Sequence, residues 1–139
     1  MRVLFDSNVW ISAFATRGLC ADLLRVALRR HGLGDFELLL SPAVRAETLR
    51  IFRDKFRATE SDLDAVRTVM ALAREIPDVN WPPPADFPDP NDVVIIGAAL
   101  AAGADWFVTG DKALLALGEI EGLPVIAPRE AYARLRGIH

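Results

Sequence analysis

Val3-Leu4-Phe5-Asp6-Ser7-Asn8-Val9-Trp10-Ile11-Ser12 decides the fold. Val3 to Phe5 read as a short buried strand, and Asn8 to Ala15 can start a helix. Asp6 stands at the join. The same order returns twice. Phe36 to Leu40 predicts a second strand, followed by Ser41 as N-cap and Pro42 as first helical residue. That helix is expected to run to about Phe56, burying Leu49, Phe52 and Phe56 along one stripe. Trp106-Phe107-Val108-Thr109-Gly110-Asp111 repeats the pattern, with Asp111 ahead of a helix from Lys112 to Leu117. Val125-Ile126 is a short fourth strand, Arg129 to Leu135 a terminal helix, and residues 75–81 a weak edge strand. Strands alternating with helices argue for a three-layer α/β domain with a mostly parallel sheet.

The remaining segments fill in this plan. Leu19 to Arg30 carries apolar residues at helical spacing. Ser61 with Asp64 reads as a capping box for a helix through Ala73. Residues 77–90 hold prolines at 77, 82, 83, 84, 88 and 90 and form a loop. Asp89 caps and Pro90 starts a helix over residues 91–102, apolar nearly all round and therefore expected to be buried.

Composition bounds the function. The 139 residues fit one domain, 1–139, and 52% hydrophobic residues supply a substantial core. A mean hydropathy of +0.23 suggests that some apolar surface closes in an oligomer. The single Cys20 excludes an intrachain disulfide framework and a cysteine-based zinc site. The start carries no signal-peptide pattern, and the apolar run Val93 to Ala104 is too short to span a bilayer, so a cytoplasmic location without membrane contact is expected. The net charge of −3 argues weakly against nucleic acid, but the cations are 14 Arg against 2 Lys, and arginine pairs bidentately with phosphate.

Four acids carry the chemistry: Asp6, Glu47, Asp92 and Asp111. Each lies just past a strand end or in the helix that follows, where ligands bind in open parallel sheets. Carboxylates gathered there repel unless a divalent cation joins them, and all-oxygen ligands select Mg²⁺ or Mn²⁺. Every acid also has a plainer reading. Asp6 and Asp111 can be helix N-caps. Glu47, away from the apolar stripe, can be a solvated glutamate paired with Arg50; on periodicity alone that is the better reading. Asp89 takes the capping role, whereas Asp92, at the head of a buried helix, needs a partner. His31 and His139 belong to no acid cluster, which removes histidine-based general-base and zinc-hydrolase readings. There is no phosphate-binding glycine motif and no serine elbow. Arg45, Arg50, Arg53, Lys55 and Arg57 decorate the Glu47 helix; such runs are mostly solvated, though beside a metal site they could grip a phosphate backbone.

Taken in order, these stretches resemble the PIN-domain nucleases, and within them the VapC-type toxins of prokaryotic toxin–antitoxin systems. Val3 to Ser12 looks like the opening strand and its D-[ST]-N motif. Leu40 to Leu49 looks like the S-x-x-x-x-x-E-L region, with Thr48 in place of leucine. Asp89-Pro90-Asn91-Asp92, Gly103-Ala104-Asp105 and Val108-Thr109-Gly110-Asp111 resemble the closing motifs. The match runs from about residue 2 to residue 128. It implies a three-layer fold with a central parallel five-stranded sheet flanked by helices. It also implies a site in which Asp6, Glu47, Asp92 and Asp111 hold Mg²⁺ or Mn²⁺, lined by Ser7, Asn8 and Thr109. The implied activity is hydrolysis of RNA phosphodiesters, commonly by a homodimer restrained by a cognate antitoxin. An acid frequent in relatives at the position of Val93 is absent. Two other readings stand beside this one. A haloacid-dehalogenase-like phosphatase needs an acid two residues after its nucleophile, where this chain has Asn8. An inactive PIN interaction module would show no specific response to divalent ions.

Overall fold

The computed structural model describes residues 1–137; Ile138 and His139, one of the two histidines considered above, lie outside the described residues. The elements follow the expected alternation. They are β1 (Arg2–Phe5), α1 (Ser7–Ala15), α2 (Leu19–Leu33), β2 (Glu37–Leu40), α3 (Pro42–Lys55), α4 (Glu60–Met70) and β3 (Arg74–Glu75) in the first half. A 3₁₀ turn (Pro90–Asp92) then leads into α5 (Val93–Ala101), β4 (Trp106–Val108), α6 (Lys112–Leu115), β5 (Glu119–Ile120), β6 (Leu123–Ile126) and α7 (Pro128–Gly137).

The sheet has six strands in the order β3-β2-β1-β4-β6-β5, flanked by helices. Five of them are mutually parallel, as expected; β5 adds a sixth, antiparallel to β6. Its two residues are too few to show alternation in sequence. β1 is central: Leu4 pairs with Leu39 of β2 on one side and Phe107 of β4 on the other. Strands buried on both faces read as apolar runs, and Val3, Leu4, Phe5, Leu38, Leu39, Leu40, Phe107 and Val108 are all buried. The chain builds outward from β1 through β2 to β3, then returns to place β4 on β1's other side. That reversal opens a crevice beyond the carboxyl ends of β1 and β4.

Local signals explain most boundaries. Ser41 caps α3, its Oγ accepting from Val44 N at 3.3 Å, and Pro42 opens it. The α4 capping box uses Thr59 and Asp62 instead of Ser61 and Asp64. Thr59-x-x-Asp62 fits the same pattern two residues earlier, and there Thr59 N–H donates to Asp62 at 2.9 Å. Phe56 does not join the buried stripe of Leu49 and Phe52. It lies at the end of α3 and is 53% exposed. The expected edge strand over residues 75–81 is confined to Arg74 and Glu75, and the helix expected from residue 91 is regular only from Val93, because Asp89 and Pro90 first wind a tighter turn.

The proline-rich stretch packs against α5. A Cβ at Gly97 would lie 2.1 Å from the Val79 carbonyl oxygen. Glycine thus lets this strap close on α5, and the strap delivers Asp89 to Asp92 to the crevice. Among the described residues no helix is long and apolar enough to cross a membrane.

Candidate functional site

Asp6 ends β1 and caps α1. Its buried carboxylate accepts from Ser7 N at 2.8 Å and Thr109 Oγ1 at 2.7 Å, with Asn8 Nδ2 at 3.2 Å. Thr109 leaves β4 beside it, and its hydroxyl also accepts from Asp111 N at 3.0 Å. Asn8 Oδ1 accepts from Gly110 N at 2.8 Å, so the two strand-end turns are laced together. A Cβ on Gly110 would approach Asn8 Oδ1 at 3.4 Å, tight for any larger residue. Asp111 caps α6 through one oxygen, which accepts from Ala113 N at 2.8 Å and from Leu114 N at 3.4 Å. The capping readings of Asp6 and Asp111 therefore hold, yet a cap engages only part of a carboxylate's four acceptor positions.

Glu47 departs from its plainer reading. It makes no ion pair with Arg50; its carboxylate accepts a short hydrogen bond from Ser7 Oγ across the α1–α3 contact. Thr48, where the resemblance has leucine, is buried and returns its hydroxyl to the Val44 carbonyl at 2.8 Å. Asp89 caps the 3₁₀ turn as expected, accepting from Asn91 N at 2.9 Å. Asp92 is half-buried; its backbone N–H donates to the Asp89 carbonyl at 3.1 Å, but its carboxylate accepts no hydrogen bond among the described residues.

These residues meet. Asp6, Glu47, Asp92 and Asp111 line one cleft of about 300 Å³, together with Ser7 and Asn8; Thr109 sits beneath it, bonded to Asp6. Ile11, Arg50, Ile51, Asp89 and Asn91 complete the lining and were not singled out as site residues from sequence. Arg50 and Ile51 follow Glu47 at helical spacing, and Asn91 lies inside the D-P-N-D stretch, so both signals were present. His31 is elsewhere, its Nδ1 accepting from Leu38 N at 3.0 Å.

The electrostatics report the crowding. Burial raises the Asp6 pKa, opposed by the Thr109 and Ser7 hydrogen bonds and reinforced by the charges of Glu47 and Asp111. Asp92 is pushed up to about 7, first by burial and then by Asp6, Asp89, Glu47 and Asp111. Like charges gathered without an intervening cation behave this way. The donors are all oxygen and would suit a hard divalent ion. Among the described residues, however, no three acids already stand as a formed ion site; the carboxylates surround the cleft, and those of Asp6, Glu47 and Asp111 lean on protein donors.

The sequence model of the PIN domain matches residues 2–113, and the chain belongs to the PIN-domain family, whose members are usually nucleases. The match ends soon after Asp111, short of the expected residue 128. No curated protein matches the chain.

Proposed function

We propose that the protein is a metal-dependent endoribonuclease that hydrolyses RNA phosphodiesters, with Mg²⁺ or Mn²⁺ held among Asp6, Glu47, Asp92 and Asp111. One observation carries this reading most: Asp92 is a half-buried carboxyl without a hydrogen-bond donor, facing four other acids in one cleft. A buried charge in such a place needs a counter-charge. Held by these carboxylates, a divalent cation would supply positive charge toward the phosphate and would make water more acidic for attack.

The chain's own groups do the rest. Thr109, Asn8 and Ser7 N–H fix the Asp6 carboxylate, and Ser7 Oγ fixes Glu47. Asp92 or Asp111 orients the attacking water or takes its proton. Attack by water leaves a 5′-phosphate and a 3′-hydroxyl. The D-[ST]-N opening and the closing Thr109-Gly110-Asp111 resemble the toxin branch, so the proposal extends to the toxin of a toxin–antitoxin pair, in the cytoplasm, as a homodimer with a cognate antitoxin. Exposed Leu33 and Leu72, on or just past α2 and α4, offer apolar surface for such contacts.

The test is RNA cleavage with Mg²⁺ or Mn²⁺, with EDTA as control and end-group analysis of the products. Metal-dependent cutting with 5′-phosphate ends is expected. Cutting that persists in EDTA, or products with 2′,3′-cyclic phosphate ends, would refute the reading.

A further inference from the structure

The cations of α3 and of the residues just past it divide into two kinds. Arg45 is paired with Glu75. Arg50, Arg53, Lys55 and Arg57 are exposed and, among the described residues, have no ion pair. Residues 50–57 hold these four cations and one carboxylate, Asp54, in a chain whose net charge is −3. The stripe starts at the cleft, because Arg50 lines it beside Glu47.

Two further features mark its far end. Phe56 is 53% exposed, with its ring tilted at 55° against Phe52 at a centroid separation of 5.3 Å. Phe52 in turn meets Phe14 of α1 at 6.2 Å, so the exposed ring is braced by a packed series reaching the core. Next to it, Arg57 has φ 52, in the left-handed region. Helix ends usually fill that position with glycine, which adopts it without steric cost. Here the position holds a guanidinium instead, immediately beyond an exposed aromatic ring. Ile11 and Ile51 line the cleft, and Phe14 and Phe52 follow on the same two helices, making the α1–α3 seam continuous from the acids to Phe56.

We propose that this ridge is the track for single-stranded RNA, with Arg50, Arg53 and Arg57 along the phosphates and Phe56 stacking an unpaired base. The inference rests on the nuclease reading and names the residues along which its substrate would run. Unspecific single-strand binding combines a cationic path with aromatic faces on which bases stack. At 1.5 Å of rise per residue, Phe56 stands roughly 9 Å beyond Arg50, a few nucleotides from the cleft. A base within a duplex has no free face for Phe56, so paired RNA loses this contact. Charge complementarity selects RNA over a protein partner for this face.

The experiment is fluorescence anisotropy with a labelled single-stranded RNA oligonucleotide, in Mg²⁺, using the full chain carrying Asp6→Asn to suppress cutting. Adding Phe56→Ala is expected to weaken binding about tenfold, and Phe56→Trp to restore it. A fully paired RNA of the same length is expected to show no Phe56 dependence. Arg57→Gly is expected to raise the melting temperature, because it relieves the left-handed backbone, while lowering the salt slope of single-strand binding by about 0.7. Unchanged affinity in both Phe56→Ala and Arg57→Gly would overturn the proposal. So would a Phe56→Ala protein with unchanged RNA affinity but altered mass in solution, since the face would then hold a second protein. Phe56-independent binding alongside normal metal-dependent cutting by the parent removes only this track. An Asp6→Asn chain that still cuts like the parent removes the nuclease reading.

Discussion

The two ends of the sheet treat charge in opposite ways. At the amino ends of β1 and β2, Glu37 lies between Arg2 at 3.4 Å and Arg74 at 2.6 Å. The Arg74 hydrogen bond holds its carboxyl below the usual range. Arg2 N–H also donates to Asp105 at 2.7 Å, and its guanidinium to the Ala102 carbonyl at 2.9 Å. At the carboxyl ends, Asp6 and Asp92 are raised by burial and by each other's neighbours. One end is compensated within the chain. The other is left uncompensated, at a cost in stability, where the fold offers a crevice. On the proposed function, that difference separates charges paired within the chain from charges left for a ligand.

The largest expected effect breaks the uncompensated end. Asp6→Asn keeps the side-chain size and removes one charge. RNA cleavage is expected to fall at least about a hundredfold, roughly 2.7 kcal/mol of barrier. Thermal stability without metal is expected to stay level or rise, because repulsion is relieved. A mutant that unfolds instead would make Asp6 chiefly a cap.

Next comes the strap that places Asp92. Gly97→Ala would set a methyl group 2.1 Å from the Val79 carbonyl. A loss of about 1–3 kcal/mol in chemical denaturation is expected, the usual cost of overpacking. An unchanged midpoint would show that the strap moves freely from α5.

The pH dependence should be smaller and opposite in sign to ordinary acid denaturation. Asp92 has a folded pKa of about 7, above the ordinary aspartate value of 3.8. Between those values the folded chain binds more protons than the unfolded chain, so stability falls as pH rises from about 4 to above 7. In EDTA the melting temperature is expected to climb on acidification from pH 8 to pH 5, and Asp92→Asn should flatten the climb. A profile that Asp92→Asn leaves unaltered would contradict the crowding.

The smallest effect belongs to the compensated end. Glu37→Gln should cost little, and the loss should vanish in high salt, as for exposed ion pairs. Its cleavage rate should match the parent's; a large loss of activity would erase the contrast between the two ends.

Sequence carried the fold well because β1, β2 and β4 are apolar runs closed by Asp6, Ser41 and Asp111, and each closure is a local event. Glu47 was not legible from periodicity, since its role depends on where α1 lies, and the Ser7 bond spans two elements far apart in sequence. Its place in the helix after β2 and the ordered motifs of the PIN resemblance pointed to it, against the solvated reading that periodicity favours. The α4 cap slipped by two residues because Thr59 and Ser61 both begin a capping pattern, and tertiary context chose between them. Phe56 kept helical spacing but fell at the helix end, where spacing no longer sets direction. Arg50 was legible as a cation on the Glu47 helix and Asn91 as part of the D-P-N-D stretch, but their place on the cleft wall depends on how α3 and the strap close around Asp6.

The carboxyl-end acids are proposed to leave a charge deficit for a divalent ion. Calorimetric titration of the metal-free protein with Mn²⁺ tests it without reference to activity, in three chains: the parent, Asp6→Asn and Glu37→Gln. Saturable binding with a raised melting temperature is expected in the parent and in Glu37→Gln, and loss of both in Asp6→Asn. Absence of saturable binding in the parent, or equal binding in Asp6→Asn, would contradict the account.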